Sequence, residues 1–331
     1  MHSRPVTKGA DRPFGVTAIL TTHAPRKELA IVLDALERLP VDEVIVVENG
    51  RNPELAGREE SLRVIRPERN LGIMARNLGA QEARSELLVM LDDDSYPLPG
   101  AIETLVDAFR ADPRLAVAGG LVRDVDLDSG TEKEQGTDTF DYWLRGGRSE
   151  TVPGAGMPAF FFAEGACMVR REAFLGVGGF FGPYFHTCAG LDVSTVLLAH
   201  GWDVRYVPAA RFVHFKAETG RDKTVMLRFR VRNQLWYFYR HFPVTLAARR
   251  MPAYLLFDLL ESAKSGALGS WARGVRDAWR EREAVRGTRR PLPRSVIRRA
   301  ELNRGRLHLR LVADRALRLV RRRSQDRPRK T

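Results

Sequence analysis

The sequence predicts an α/β fold, a mostly parallel sheet flanked by helices, followed by a helical and strongly basic C-terminal region. In the first half, short apolar runs alternate with segments whose apolar residues recur at helical spacing, a pattern typical of strand–helix–strand units. Residues 271–331 contain 21 Arg and Lys but 6 Asp and Glu, whereas residues 1–270 contain 33 and 35. The net charge of +13 therefore belongs to the C-terminal region.

Each element is predicted from its own pattern of apolar and helix-breaking residues. Apolar runs predict strands at residues 16–20, 44–47, 62–65, 87–91 and 116–118, and helical spacing predicts helices at 26–39, 72–84 and 101–111. Residues 123–158 are acidic and rich in Gly, Ser and Thr, which indicates a mobile loop or a short antiparallel ribbon. Strands at 160–169, near Val204 and near Phe212 then alternate with helices at 171–177 and 191–200. From Lys223 onward we expect helices broken at Pro243, Pro252 and Pro291.

The most informative segment is Asp92-Asp93-Asp94, which directly follows the predicted strand 87–91. Three adjacent carboxylates repel one another unless a cation compensates them. Mg²⁺ and Mn²⁺ prefer oxygen ligands and often share them with phosphates, and ligands of such sheets bind at the carboxyl ends of the strands. The segment therefore predicts a metal–diphosphate site at the edge of the sheet, with a solvated loop as the alternative.

Other polar residues follow the same strand ends, and each has a plain structural alternative. Thr22 follows the first strand, where it could contact a nucleotide or cap a helix. Glu48 follows the second strand, where a carboxylate could bind a base or ribose, although an Asn-Gly turn needs no such role. Asn70 and Arg76 flank the start of a helix opened by glycine, which favours an anion, and an exposed helical face is the alternative.

The order and spacing of these segments resemble the family-2 glycosyltransferases of GT-A fold. The similar segments in the first half are Thr21-Thr22, Glu48-Asn49-Gly50, the run from Asn70 to Gly79, and Leu91-Asp92-Asp93-Asp94 with Pro97. Those in the second half are the run from Gly165 to Phe174, Val177-Gly178-Gly179-Phe180, Leu191-Asp192-Val193, Gly201-Trp202, Tyr206-Val207-Pro208, and His214. The resemblance covers about residues 14–242.

The resemblance implies a nucleotide-sugar donor and a catalytic Mg²⁺ or Mn²⁺. It assigns the metal to Asp92, Asp94 and His214, and the nucleotide-sugar pocket to a further set: Thr22, Glu48, Asn70, Arg76, Asp92 and Asp93. Residues 14–125 would form the nucleotide-sugar-binding half, residues 126–222 the acceptor-side half, and residues 223–331 a helical, Arg-rich region. The implied reaction is inverting transfer from a donor such as a UDP- or dTDP-sugar to the hydroxyl of a glycan, lipid-linked or small-molecule acceptor.

The sequence departs from this family where many members carry paired acids, one of which serves as the base. Ala189 and Gly190 stand at those positions. A base must lie within hydrogen-bond reach of the attacking hydroxyl, so Asp192 is the first candidate and Glu164, in an apolar run that would raise its pKa, is the second. Asp192 could instead be a helix N-cap. The alternative function is a catalytically weak or inactive protein that binds sugar nucleotides or serves as a scaffold.

Composition also bears on location and partners. Two cysteines, Cys167 and Cys188, fit a reducing compartment, and neither an apolar leader nor a run of 18 apolar residues occurs in the sequence. We expect a cytoplasmic protein, peripheral on the inner face of the cell membrane through its Arg-rich C-terminus, with a solvated helical face as the alternative. No nucleic-acid partner is expected, because no reading motif accompanies the charge; a basic nucleic-acid-associated protein is the weakest alternative.

Overall fold

A ten-stranded sheet lies at the centre of the molecule. The structure is a computed structural model and describes residues 14–58, 62–127, 129–135, 156–159, 161–215 and 223–297. The strands are β1 (Val16–Thr22), β2 (Glu43–Glu48), β3 (Arg63–Ile65), β4 (Leu87–Asp92), β5 (Ser95–Pro97), β6 (Leu115–Val125), β7 (Glu132–Gln135), β8 (Met157–Pro158), β9 (Ala166–Arg170) and β10 (Asp203–Phe215). The helices are α1 (Glu28–Leu36), α2 (Ala75–Glu82), α3 (Ala101–Ala111), α4 (Arg171–Gly176), α5 (Ala189–Ala199), α6 (Lys223–His241), α7 (Val244–Lys264) and α8 (Leu268–Arg280).

The first half of the sheet is parallel, as the sequence predicts. β1 lies between β2 and β4, and β3 adds to the outer edge of β2. The register pairs Thr22 with Glu48 and Thr21 with Asp92, so these three strands end at the same edge. This shared edge brings the polar residues that follow the strands together.

The second half makes the sheet mixed. The path of neighbouring strands is β3-β2-β1-β4-β9-β6-β10-β5, and β9 runs antiparallel to both β4 and β6. β7 pairs antiparallel with β6, so the predicted ribbon begins there, while residues 136–155 of the predicted loop lie outside the described residues. The parallel arrangement thus holds for β1 to β4, and the later strands run in both directions.

Helix α2 packs unusually close to β1 because it carries a glycine at the contact. A Cβ on Gly79 would lie 2.6 Å from Cγ2 of Ile19, which is closer than packed side chains approach. The predicted helix 72–84 begins as a 3₁₀ turn, Gly72–Met74, before α2 starts at Ala75. This close packing places the start of α2 over the carboxyl edge of the sheet.

The predicted strand 160–169 is shorter than expected, because a turn interrupts it. The Ala166 N–H donates to the Ala163 carbonyl at 3.1 Å, and β9 starts only at Ala166. The turn leaves Glu164 at the edge of the sheet beside β4. A Cβ on Gly165 would lie 2.2 Å from Oδ2 of Asp92, so glycine is required for this close approach.

The C-terminal helices share the core of the sheet. Four aromatic residues at the end of α6 belong to the same buried cluster as residues of β1, β4 and β9: Trp236, Tyr237, Phe238 and Phe242. Pro243 ends α6 as predicted, but Pro252 lies inside α7 and does not break it. Its exposed position lets water satisfy the backbone carbonyl that the missing N–H leaves without a partner. Among the described residues, no helix is both long enough and apolar enough to cross a membrane.

This shared core predicts a difference between two tryptophans of the C-terminal helices. Trp236 is 3% exposed and its indole N–H donates to the Ala278 carbonyl at 3.0 Å, whereas Trp279 is 70% exposed. Trp236→Ala should therefore lower the free energy of unfolding by about 3–5 kcal/mol, measured by urea denaturation. Trp279→Ala should change it by about 0.5 kcal/mol or less. Equal effects of the two substitutions would contradict a common core.

Candidate functional site

A cleft of about 680 Å³ opens at the shared edge of β1 and β4. Its floor is the segment Asp92-Asp93-Asp94, and Thr22, Arg76 and Glu164 line its sides. Val225 and Met226, from the start of α6, complete the wall, so the C-terminal region contributes to this cleft. The cleft thus lies at the strand ends, where the sequence predicts the site.

Each of the three aspartates has its own partner. Asp92 forms an ion pair with Arg76 of α2. Asp93 accepts a hydrogen bond from the Thr22 hydroxyl at 2.7 Å, and Nη1 of Arg26 lies 2.7 Å from Oδ2 of Asp94. Burial raises the pKa of Asp93 to about 6, against the lowering effect of Thr22 and Arg26. The segment thus concentrates negative charge that cations of the protein offset only in part.

His214 reaches the same place from β10. Antiparallel pairing with β5 sets His214 opposite Ser95, three residues after the first aspartate. Nδ1 of His214 lies 2.7 Å from Oδ1 of Asp124, and its Nε2 lies 3.6 Å from Oδ1 of Asp94. Asp124 therefore fixes the orientation of the imidazole and directs its second nitrogen toward Asp94.

The donor set suits a divalent cation that shares its ligands with a substrate. In the part of the chain that the structure describes, no group of three or more His, Cys, Asp or Glu side chains is placed to hold a metal ion. Asp94 and His214 nevertheless face each other, while Asp92 is directed to Arg76. Mg²⁺ usually binds through one or two carboxylates and takes its remaining ligands from substrate phosphates and water, so the Asp94 carboxylate fits such an ion, with the His214 imidazole beside it.

The other predicted donor contacts are divided between the cleft and its support. Asn70 lines the cleft, where its Nδ2 lies 3.0 Å from Nδ1 of His23. Glu48 is buried beside Thr22 and accepts hydrogen bonds from the Asn52 N–H and from Arg66, both at 2.6 Å. The structure thus places Glu48 behind the cleft, where it holds the loop that follows β2.

Glu164 faces the position where the family's acid is missing. Its Oε1 accepts a hydrogen bond from the Gly190 N–H at 2.5 Å. A Cβ on residue 190 would lie 3.0 Å from the same oxygen and 3.2 Å from the Phe162 carbonyl oxygen. Burial raises the pKa of Glu164, while the Gly190 N–H and Arg76 act in the opposite direction. The Glu164 carboxylate therefore occupies the space in front of Gly190.

Asp192 lies in the protein interior, and it is not among the residues that line the cleft. Its Oδ1 accepts a hydrogen bond from the Tyr184 hydroxyl at 2.8 Å, lies 2.6 Å from Nε2 of His241, and forms an ion pair with Arg240. Burial alone would raise the pKa of Asp192, but His241, Arg240 and Tyr184 lower it below the ordinary value. Asp192 thus links α5 to the end of α6.

The loop before α5 is held in a strained conformation. Phe185, Thr187 and Cys188 have φ values of 60°, 42° and 64°, a region that side chains other than glycine rarely adopt. Nδ2 of Asn233 donates to the carbonyls of Tyr184, His186 and Thr187. Since Phe185 and His186 line the cleft, α6 fixes the shape of this side of the cleft.

Sequence reasoning missed several residues of the site. The sequence places Arg26 at the start of the predicted helix 26–39 and gives it no role in the site, but Arg26 pairs with Asp94 and lies 3.5 Å from Asp93. His23, His186 and Asp124 were not identified either, because their roles depend on elements that are distant in the sequence. The one available signal was local: His23 and Arg26 follow the same strand end as Thr22.

The comparison of sequences identifies one domain and a pair of relatives. Residues 17–177 match the model described as glycosyl transferase family 2. N-acetylglucosaminyl-diphospho-decaprenol L-rhamnosyltransferase of Mycobacterium tuberculosis, from strains CDC 1551 / Oshkosh and ATCC 25618 / H37Rv, is 30% identical over 167 residues. The match covers 46% of this chain and 54% of that enzyme, so the chain spans about half the length of the curated relatives it matches.

Solved structures confirm the predicted GT-A fold. GalNAc-T7 with UDP, GalNAc and Mn²⁺ is similar with a TM-score of 0.55 and 16% identity, over 71% of this chain and 49% of that chain. The mannosyltransferase PcManGT from Pyrobaculum calidifontis with GDP-Man and Mn²⁺ gives a TM-score of 0.51 and 18% identity, over 83% and 78%.

The interior position of Asp192 predicts a structural phenotype for its substitution. Asp192→Asn should lower the free energy of unfolding by about 3–5 kcal/mol, because it leaves Arg240 buried without its counter-charge. The folded-state pKa is lowered, so the stabilisation exists above the ordinary aspartate pKa of about 4 and is lost as the pH falls through the folded value. Urea denaturation should therefore show the difference between the two proteins shrinking below about pH 4. Asp107→Asn, on an exposed carboxylate of α3, is the matched control; a loss equal to the control's would contradict this role.

Proposed function

We propose that the chain, whose residues 17–177 match the model of glycosyl transferase family 2, transfers a sugar from a nucleotide-sugar donor to a hydroxyl of an acceptor. The observation that carries the proposal is the arrangement of the cleft. Three aspartates with two arginines lie on its floor, and the Glu164 carboxylate lies beside them. Such a cleft offers a charged side for a diphosphate and a carboxylate for a proton.

The aspartate floor is the proposed donor side. Arg26 and Arg76 carry positive charge toward the diphosphate, and Thr22 keeps Asp93 in place. Asp94 and His214 would hold Mg²⁺ or Mn²⁺, which supplies Lewis-acid stabilisation of the leaving diphosphate when bound. Support for the ion comes from the geometry of this pair and from the titles of both similar structures, which name Mn²⁺.

Glu164 is the proposed general base, in preference to Asp192. Its carboxylate lies in the cleft, where it can take the proton of the acceptor hydroxyl as that oxygen attacks the anomeric carbon. The bond from the anomeric carbon to the diphosphate breaks on the opposite face, so the transfer inverts the configuration. Asp192 is a positioning residue, since it holds Tyr184 and α6 behind the loop that lines the acceptor side.

We propose a lipid-linked acceptor at the cytoplasmic face of a membrane, with a cell-wall or surface glycan as the product. The similar enzyme of Mycobacterium tuberculosis is named for an acceptor that combines a sugar, a diphosphate and a polyprenol. UDP- and dTDP-sugars are the donors to test first. The alternative function is donor binding without turnover, and the observation that favours it is Ala189-Gly190 in place of the paired acids.

Donor binding predicts a ligand-dependent rise in thermal stability. UDP-, dTDP- and GDP-sugars should each be tested by differential scanning fluorimetry with and without Mn²⁺. A donor at one hundred times its Kd stabilises the folded state by about 2.7 kcal/mol, which corresponds to a rise of about 5 °C in Tm. Asp94→Asn should remove the Mn²⁺-dependent part of this rise, while Asp107→Asn should retain it. A Tm unaffected by every nucleotide sugar would refute the donor site.

The proposed base predicts that the carboxylate can be moved between two positions. Glu164→Gln should reduce kcat about 10²–10⁴-fold with little change in donor affinity, because general-base catalysis contributes a factor of that size. Glu164→Ala should be equally inactive. Adding Gly190→Asp to it should restore activity about tenfold or more, since the Glu164 side chain no longer fills the space and only the Phe162 carbonyl, 3.2 Å from the new Cβ, must shift slightly.

Two outcomes separate the candidate functions. Gly190→Asp alone should reduce activity, because its carboxylate would crowd that of Glu164. Turnover that is unaffected by Glu164→Gln would eliminate Glu164 as the base. A chain that binds donor but neither hydrolyses nor transfers it, with or without these changes, would favour the inactive, donor-binding alternative.

A further inference from the structure

Helix α7 presents apolar side chains to water on one side, while its fully buried positions on the other side are polar. The residues of Val244–Lys264 that are fully buried are Asp258 and Ser262. Val244, Leu256 and Leu260 are 70%, 55% and 57% exposed. A surface helix in water normally shows the reverse arrangement, with its apolar stripe inward. The outward face of α7 therefore carries apolar side chains that the described residues leave exposed.

The rotation of α7 about its axis is fixed by inward contacts. Arg230 of α6 lies 2.8 Å from Oδ1 of Asp258, and the Ser262 hydroxyl donates to the Asp258 carbonyl. Leu246, Met251 and Tyr254 are half-buried against the core on the same inward side. Turning the helix to hide its outer leucines would expose these contacts and separate a buried ion pair. The outward face is thus a built feature of the fold.

The outward face is apolar along its middle and basic toward its ends. Its exposed residues are Val244, Thr245, Ala248, Arg249, Pro252, Ala253, Leu256, Leu260, Ala263 and Lys264. The only charged members of this set are Arg249 and Lys264. A helix of 21 residues is about 30 Å long, so this face is large enough to lie along a surface.

We propose that α7 lies in the plane of an anionic membrane, with Leu256 and Leu260 in the acyl-chain boundary and Arg249 and Lys264 at the lipid phosphates. An in-plane helix gains affinity from its buried apolar area and from the attraction of its basic residues to anionic lipids. Membrane contact through α7 would bring the cleft to a lipid-linked acceptor, and this one consequence rests on the proposed function. Membrane contact is thereby assigned to a defined face, beyond the general basic charge of the C-terminus.

Charge complementarity favours anionic lipid over two other covers of this face. In the described residues 223–297 the exposed charged side chains are mostly basic: Arg249, Lys264, Arg273, Arg276, Arg280, Arg282, Arg286, Arg290 and Arg294, against Glu281 and Glu283. A second copy of the chain would bring like charges together, which opposes association. Residues 298–331 contain 13 basic and 3 acidic residues, so they carry the same sign. Phosphate groups of lipids carry the opposite sign.

Vesicle flotation with the full-length protein tests the proposal. The protein should bind vesicles of phosphatidylcholine with about 30% phosphatidylglycerol, and it should bind vesicles of phosphatidylcholine alone at least about tenfold more weakly. Leu256→Glu with Leu260→Glu should weaken binding to the anionic vesicles by tenfold or more, because two apolar side chains are lost from the contact. Ile31→Glu is the matched control, since Ile31 is 40% exposed on α1, and it should leave binding unchanged. Thermal melting should show that all variants fold.

Three results would overturn the proposal. The variant with Leu256→Glu and Leu260→Glu could bind as tightly as the unchanged protein, which would assign binding to the other basic residues. The unchanged protein could fail to bind either kind of vesicle. It could also form a dimer that is absent in the variant with both substitutions, which would make the face a contact between copies. Hydrolysis of a soluble nucleotide sugar, measured in the same variants, should stay unchanged, because Leu256 and Leu260 lie outside the cleft. Failure of membrane binding and failure of the proposed transfer are thereby distinguished.

Discussion

The negative charge that follows β4 is the constraint on which the rest of the structure depends. Three consecutive carboxylates can lie at a buried sheet edge only if each has a counter-charge or a donor. Arg76 comes from α2, Arg26 from the segment before α1, and Thr22 from the end of β1. Because these partners belong to different elements, the aspartates tie the first half of the fold to one point, and that point is the floor of the cleft.

The same principle organises the acceptor side around a different carboxylate. Asp192 is buried, and its partners Arg240 and His241 come from the end of α6, about fifty residues later in the chain. Asn233 of the same helix holds the strained loop that precedes α5. The C-terminal helices are therefore needed to shape the cleft, and the outward face of α7 takes no part in this contact.

The sequence predicted what local patterns determine. Apolar runs ended by polar residues located four strands and the aspartate floor, since the strand period and the burial of its neighbours are local properties. The insertion of β9 between β4 and β6 was not predictable, because the order of strands depends on contacts between distant segments. Pro252 was expected to break α7, but tertiary packing and solvent exposure overrode its local cost. The contacts of Arg26 and Asp192 could not be predicted for the same reason, because their partners lie far away in the sequence.

The position of Glu164 explains how a cleft can lack the usual acids and still suit the proposed reaction. A general base must place a carboxylate oxygen within reach of the proton that it accepts. Proton transfer does not depend on which secondary-structure element carries that carboxylate. Gly190 opens the space, and its N–H donates to the oxygen that fills it, which opposes the rise in pKa that burial causes. An acidic side chain on residue 190 would crowd this carboxylate, so Gly190 and Glu164 depend on each other at this position. We therefore propose that Glu164 supplies the carboxylate that the paired acids of α5 would otherwise supply, since its side chain lines the same cleft.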